Sequence, residues 1–476
     1  MDAAELCYTP ATELSRRIGG RELSPVELAE AVLRRVERLN PTLSAYITVT
    51  ADLAMEQARE AETRALRGEL RGPLDGIPYS LKDLEPTAGV RTTFGSKFFE
   101  HHVPEEDGAV AARLRAAGAV LLGKTNTPHF GHKDTTDSLV APPCRNPWRL
   151  DRTAGGSSGG AGAAVAAGLG PLAHGTDGGG SIRIPAALCG IFGLKPSFGR
   201  VPFYPSGDYW AARSHNGPMT RTVRDAALML SVLAGPTPRD PLSVDAPPTD
   251  YLAACDGDLK GLRVAWSADL GYAAVDAEVR AITARAARRF ADLGCEVDEP
   301  TLDWPNPREV FQVSFEVGIA ARLMDKAAER PDWIEPSLMR MILDAGRLGA
   351  VEYQRTLLAR SAYYDVVQRF FERYDLLLTP TMPVVAWSVE PTSWVGPTAI
   401  DGRPVRSTYD HIAFTYPFNL TGQPAASVPC GFTAEGLPVG LQIVGRWHAD
   451  DLVLRAAACF EAAQPWAHRR PPLDEP

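Results

Sequence analysis

Gly155-Gly156-Ser157-Ser158-Gly159-Gly160 and, a short way on, Gly175-Thr176-Asp177-Gly178-Gly179-Gly180-Ser181-Ile182-Arg183 set more glycine around fewer hydroxyls than any other part of the chain. Glycine admits positive φ and close backbone approach, at an entropic cost in regular structure. Two such runs need a reason. Read together they describe one site: a serine nucleophile, a second serine beside it, and backbone N–H groups aimed at an oxyanion. Three residues without Cβ precede Ser181, and the run 182–188 after it reads as a short helix whose positive end adds to their N–H groups. In acyl transfer a single such donor is worth ~3 kcal/mol of barrier. A plain helix cap after a flexible loop is the competing reading of Ser181.

Ser157 and Ser158 sit between two glycine pairs, and G-x-S-x-G is matched at both. A glycine-rich turn or an empty anion nest would look the same. Neither G-x-x-x-x-G-K-[ST] nor a full G-x-G-x-x-G occurs there, so phosphate binding is disfavoured. A nucleophile elbow of the α/β-hydrolase type stays open, because His174, His215, His411 and His448 all lie downstream. The base would then be a histidine.

Working outward, 76–83 is a short apolar run bounded by turn residues, a strand with Lys82 near its end. Cationic charge is carried almost wholly by Arg, and the chain has only seven lysines. A lysine in an apolar run loses part of its preference for the charged form and can serve as a base near neutral pH. Ser–Lys hydrolases use that in place of His–Asp. The S-x-x-K spacing of penicillin-binding enzymes is absent at every lysine.

The remaining chain alternates. Ser24-Pro25-Val26-Glu27 opens a helix with a cap, a proline at its first position and a capping-box glutamate, and Asn40-Pro41 is expected to stop it. Helices are expected over 51–66, 108–117, 160–169, 220–234, 276–293 and 450–463, with a mostly helical section over 309–374. Strands are expected over 119–124, 171–176, 191–195, 263–266, 295–298, 375–380, 425–430 and 439–444. Residues 384–406 read as a long Pro/Gly-rich loop. The pattern implies an α/β protein with a single large mixed, mostly buried β-sheet flanked by helices on both faces. One domain over 1–476 is expected, with a core at 74–235, a Pro- and Asp-rich surface linker at 235–260, and 261–476 completing the same sheet and the pocket.

Composition narrows the partners. The 476 residues are 45% hydrophobic, enough for a large core, and the net charge of −9 is spread without a basic block. Nucleic acid and membrane surfaces are therefore not expected partners. The acidic start of the chain does not read as a signal peptide, and the longest uncharged run is too rich in Gly and Ser to span a membrane. Seven scattered cysteines without a Cys-x-x-Cys favour reduced thiols, a cytoplasmic location and no metal site. No cofactor is called for, and a homodimer is a candidate assembly.

With these residues in view, the sequence is identified as resembling the amidase signature family. The two glycine runs, with Ile184-Pro185-Ala186 and Cys189-Gly190-Ile191-Phe192-Gly193-Leu194-Lys195-Pro196, reproduce its signature nearly throughout. Similarity extends to Leu74-Asp75-Gly76-Ile77-Pro78, Lys82-Asp83, Gly123-Lys124-Thr125-Asn126, Pro424-Ala425-Ala426-Ser427-Val428-Pro429 and Gly436-Leu437-Pro438-Val439-Gly440-Leu441-Gln442. The resemblance implies a Ser–cis-Ser–Lys triad: Ser181 as nucleophile, Ser157 as bridging serine after a cis Gly156–Ser157 peptide, and Lys82 as base. It also implies an oxyanion hole on the N–H groups of Gly178, Gly179, Gly180 and Ser181. Ser158, Asp177 and Arg183 would support the site without touching substrate.

Family members cleave fatty, aryl, peptide and cyclic amides, ureas and carbamates, and one branch transamidates Glu-tRNA. Thr127-Pro128-His129-Phe130-Gly131-His132 departs from the Met-Asp-Glu-Phe-Ala-Met pattern of that branch. Phe130 and the loop carrying Tyr204, Tyr209 and Trp210 are expected to line an apolar pocket for an aryl or otherwise apolar small-molecule amide or carbamate. A His-dependent esterase and a catalytically silent binding protein of the same fold are the rival readings.

Overall fold

Among the described residues, 3–390 and 396–473 of the computed structural model, eleven strands form one sheet. They are β1 (Tyr46–Val49), β2 (Pro78–Lys82), β3 (Val120–Thr125), β4 (Leu172–Asp177), β5 (Phe192–Lys195) and β6 (His215–Thr220) in the first half. The second half adds β7 (Arg263–Trp266), β8 (Glu296–Asp298), β9 (Leu376–Pro380), β10 (Ala425–Phe432) and β11 (Pro438–Gly445). Their order across the sheet is β1-β3-β2-β4-β6-β5-β10-β11-β9-β7-β8. β2 runs parallel to β3 and β4, and β7 runs parallel to β8 and β9. The other pairings are antiparallel. The seam between β5 and β10, with Ala425 opposite Lys195, joins the strands on either side of the 235–260 connection into one sheet.

Every residue of β2, β3, β4, β5, β6, β9 and β11 is buried, which is why these strands lack an alternating polar face. Helices cover both sides. A Cβ at Gly440 of β11 would meet Ala187 of helix Arg183–Cys189, and one at Gly445 would meet Val453 of helix Asp450–Ala463. An odd separation along a strand points to opposite faces.

The structure departs from the sequence-based expectation in several places. Helix Pro25–Leu43 runs through Asn40-Pro41 instead of ending there. Pro41 falls in its last turn, where the ring costs one backbone bond, and Ser44 in the left-handed region ends the helix. Ser24 caps the other end through Val26 and Glu27 N–H, and its hydroxyl donates to Glu62 on the next helix. The helix expected over 160–169 ends at Ala166.

Strand β6 was not anticipated, because Gly217-Pro218 reads as a turn. It lies inside the sheet, with Pro218 opposite His174. Its ladder to β5 stops at Met219, while its ladder to β4 continues through Pro218 to His215. The helical section resolves into Arg308–Glu329, Pro336–Ala345 and Ala350–Arg373. Within the expected 384–406 loop, residues 391–395 lie outside the described residues, and Ala399–Ile400 pairs with Arg403–Pro404 as a small hairpin.

Candidate active site

Parallel β2 and β4 end side by side, and that topology assembles the site. Lys82 closes β2, while β4 delivers Thr176 and Asp177 and then breaks into Gly178-Gly179-Gly180. In open α/β sheets such carboxyl ends are where sites form. Lys82 Nζ stands 2.7 Å from Ser157 Oγ and 2.9 Å from Thr176 Oγ1. The lysine has no exposed surface, and burial drives its amine well below the usual lysine range, with the Asp177 charge opposing only in part.

Two other lysines are as deeply buried, and they serve as a control. Lys124 donates to the Glu85 carbonyl and to Thr87 and Thr92, and Lys195 donates to the carbonyls of Gln423 and Pro196. Of the three, only Lys82 faces a serine. Thr176 was missed as its second partner, although it stands in the second glycine run.

The two runs meet directly. The Gly156–Ser157 peptide is cis. Ser158 N–H donates to the Ser181 carbonyl at 3.2 Å, and Ser158 Oγ bridges to Thr176 through its carbonyl at 3.2 Å and its N–H at 3.3 Å. Ser158 therefore ties the runs together and is absent from the cavity wall, whereas Ser157 and Ser181 both line it.

Gly180 is not free to serve the oxyanion hole, contrary to expectation. Its N–H donates to Asp177 Oδ1 at 2.7 Å and Ile182 N–H to Asp177 Oδ2 at 3.2 Å, so Gly180 has no donor left for a substrate. The N–H groups of Gly178, Gly179 and Ser181 have no acceptor among the described residues. Gly180 is required for another reason: its φ is +132°, and a Cβ there would come within 2.3 Å of Thr415 Oγ1. Thr415 Oγ1 in turn donates to the Gly179 carbonyl at 2.7 Å, holding the loop from outside.

Asp177 and Arg183 pair through two bonds, Nη2 to Oδ1 at 2.9 Å and Nε to Oδ2 at 3.0 Å, with neither side chain exposed. Arg183 donates further to Asn419 Oδ1, Gln442 Oε1 and the Thr415 carbonyl. Burial favours the neutral acid, but Arg183, Lys195 and the Asn419 amide outweigh it and hold the Asp177 carboxyl below the usual carboxylate range. Fully paired, this buried cluster fixes the loop.

No histidine is hydrogen-bonded to Ser157, Ser158 or Ser181 among the described residues. His174 bonds Asn216 at 3.0 Å and is pushed down to about 3 by burial. His215 Nδ1 lies 3.2 Å from the Asp177 carbonyl, and His411 bonds Asp134 at 2.5 Å. His448 lies in part-exposed surroundings near Arg200. Among the described residues no group of three or more His, Cys, Asp or Glu is arranged to hold a metal ion.

The cavity holds about 1160 Å³. Phe94, Phe99, Phe130, Phe311, Phe315 and Tyr409 give it an aromatic wall. Phe130 is part of this wall, but Tyr204, Tyr209 and Trp210 do not line the cavity. Tyr204 lies under the Arg239 guanidinium at 4.6 Å, and Trp210 is 78% exposed. Asp208 accepts from the N–H groups of Trp210 and Ala211, and the turn so formed shows the cavity Pro205 to Asp208 and Ala211 instead. Phe311, Phe315 and Tyr409 were not foreseen, because their approach to the serines is tertiary and leaves no local pattern.

A buried amine with a lowered pKa beside one hydroxyl, a second hydroxyl on the cavity wall, and N–H groups without an acceptor next to it are the parts that acyl transfer uses. A family model described as Amidase matches residues 27–454. The chain is 42% identical over 474 residues to an acylamidase of Rhodococcus erythropolis, covering 99% of this chain and 98% of that protein. It is 38% identical over 497 residues to a glutamyl-tRNA(Gln) amidotransferase subunit of Moorella thermoacetica, covering 98% and 99%. A bacterial aryl acylamidase of the amidase signature family superposes with a TM-score of 0.92 at 33% identity, covering 97% of each chain. A 6-aminohexanoate cyclic dimer hydrolase bound to substrate superposes at 0.88 and 33% identity, covering 98% and 99%. The chain belongs to the amidase family, and it is a hydrolase of carbon–nitrogen bonds other than peptide bonds, in linear amides.

Proposed function

We propose that this amidase cleaves an aryl or otherwise apolar carboxamide through an acyl-enzyme on Ser181, with Lys82 as base and Ser157 as proton relay. The observation that carries the reading is the buried Lys82 amine, 2.7 Å from the Oγ of Ser157, which lines the same cavity as Ser181. Neutral Lys82 takes the proton of Ser157 as Ser157 takes that of Ser181. Ser181 Oγ bonds to the carbonyl carbon, and the carbonyl oxygen becomes an oxyanion facing the N–H groups of Gly178, Gly179 and Ser181. The proton returns through Ser157 to the amine nitrogen, the C–N bond breaks, and water repeats the sequence to release the acid.

The aromatic wall supports an aryl group on the substrate, and the similarity to an aryl acylamidase points the same way. Carbamates and esters fall within the same chemistry as secondary substrates. The transamidase relatives share the fold, but residues 127–132 depart from their pattern. Hydrolysis of acetanilide, a small aliphatic carboxamide and an aryl carbamate tests the substrate class: acetanilide is expected to be fastest, and turnover of the aliphatic carboxamide alone would refute it.

A further inference from the structure

Arg213 lines the cavity with its charge unanswered. It follows the 205–211 turn and directly precedes Ser214, which also faces the cavity. Among the described residues its guanidinium has neither an ion pair nor a hydrogen-bond acceptor, and its Nε is buried. Its contacts there are with ring faces, Phe315 at 5.2 Å and Phe311 at 5.9 Å. Guanidinium carries five donors in a planar fork matched to a carboxylate, and on this half-buried residue of the cavity wall the Nε donor is buried without a partner.

Glu105, Glu106, Asp134, Asp208, Glu316 and Asp344 also line the cavity, yet none of them pairs with Arg213 among the described residues. Glu316, on the same helix as Phe311 and Phe315, accepts from Tyr409 and Gln312. Burial first, then the neighbouring Arg360 and Arg322, push the Arg213 guanidinium down to about 9, which still leaves it cationic at neutral pH. Arg322, another cavity residue, makes one bond to the Gly318 carbonyl and no ion pair among the described residues. Two cations beside each other on the cavity wall are a reason to expect a negatively charged group on what the cavity binds.

Phe311 relates this cation to the reacting end of the cavity. A Cβ built on Gly179 would fall 2.5 Å from the Phe311 ring, and the same ring lies near the Arg213 guanidinium. A carbonyl at the Gly178, Gly179 and Ser181 N–H groups and an anion at Arg213 would thus be separated by one aromatic wall.

We propose that Arg213 anchors a carboxylate on the substrate, and that the preferred substrate is an aryl amide bearing that carboxylate. The inference rests on the acyl-enzyme reading above and narrows its substrate class. Hydrolysis of 3- and 4-acetamidobenzoate is compared with that of the corresponding neutral benzamides and of acetanilide, in wild type, Arg213→Met and Arg213→Lys. One carboxylate isomer is expected to exceed its neutral isostere in kcat/KM by about 10- to 100-fold. That ratio should collapse toward one in Arg213→Met and recover in part in Arg213→Lys.

Calorimetric titration of Ser181→Ala with the same two carboxylates reads binding without turnover, and adding Arg213→Met should raise Kd at least tenfold. Neutral acetanilide cleaved well with no carboxylate preference, or a preference that survives Arg213→Met, would overturn the anchor and leave the amidase reading standing. Arg213-dependent binding without cleavage of any of these amides would support the anchor and refute the aryl-amide reading. Should Arg213→Met fail to fold, Arg213→Lys with an unchanged ratio and unchanged Kd values for both isomers would overturn the anchor by itself.

Discussion

Lys82 Nζ lies 2.7 Å from Ser157 Oγ, and the lysine side chain has no exposed surface. Desolvation is what makes this contact useful, since an ammonium there could donate but not accept a proton. The amine is held well below its ordinary value, so it is neutral above its folded pKa and protonated below it. Activity should therefore rise with pH through that pKa and level off above it. A kcat/KM profile that is flat from pH 5 to 9 would remove Lys82 from the role of base.

The same burial makes Lys82 a stability burden. Its folded pKa lies below the unfolded value, so below about pH 10.5 the unfolded chain holds a proton that folding must release. Lys82→Met fills nearly the same volume without a charge to desolvate. It is expected to lower kcat by about 10³-fold or more while Tm stays level or rises at pH 7. A drop in Tm of several degrees would mean that the amine is charged and paired in the fold.

Thr176 is the second contact of the Lys82 amine, at 2.9 Å, and its hydroxyl steadies the amine toward Ser157. Thr176→Val keeps the shape and removes that bond. It should lower kcat about tenfold with KM nearly unchanged, and Thr176→Ser should restore most of the loss. An equal fall in Thr176→Ser would show that packing, and not the hydroxyl, is what matters.

Much of this site was legible before any coordinates. Glycine runs and a lysine inside an apolar strand are costly unless used, which singles out Ser181, Lys82 and the adjacent Ser157 and Ser158, while the choice of Ser157 over Ser158 came from the family resemblance. The cis Gly156–Ser157 peptide followed from the family resemblance, and no composition or spacing rule would have found it. What the sequence hid is tertiary. Gly180 belongs to the same glycine run as its neighbours, yet its N–H is spent on Asp177, a choice made by loop geometry. Trp210 and Phe311 look equally apt to line a pocket, and only the Asp208 turn and the packing of helix Arg308–Glu329 separate them. Strand β6 was concealed by Gly217-Pro218, a turn-like pair that lies in the middle of its ladder to β4.

Asp177 and Arg183 should behave as one unit. Removing either charge leaves the other buried and unpaired, which costs about 3–5 kcal/mol. Asp177→Asn and Arg183→Met are each expected to lose that much stability in urea melts, with the double variant no worse than the more damaging single one. For pH, Asp177 has a lowered folded pKa, so its contribution is present above the usual carboxylate value of 3.8 and disappears as pH falls through the lower folded value. Acid melts of Asp177→Asn should accordingly lack part of the wild-type slope below pH 4, and an unchanged slope would contradict the pairing.

The cavity wall separates two aromatic residues cleanly. Trp210 is 78% exposed and outside the wall, so Trp210→Ala should leave kcat and KM for acetanilide within about twofold. Phe311 is fully buried, stacks on Tyr416 at 4.8 Å and faces the Gly179 loop. Phe311→Ala should cost about 3–5 kcal/mol of stability and raise KM for aryl amides more than for a small aliphatic one. Equal effects on both substrates would argue that the ring supports the fold alone.

The central claim is that Ser181 is the nucleophile and that Lys82 activates it. Intact-mass measurement of the protein treated with a fluorophosphonate across pH 5 to 9, followed by peptide mapping, tests both parts together. The account predicts a single adduct on Ser181, formed faster as pH rises, nearly abolished in Lys82→Met and absent in Ser181→Ala. An adduct on Ser157 or Ser158, or one that persists in Ser181→Ala, would contradict it.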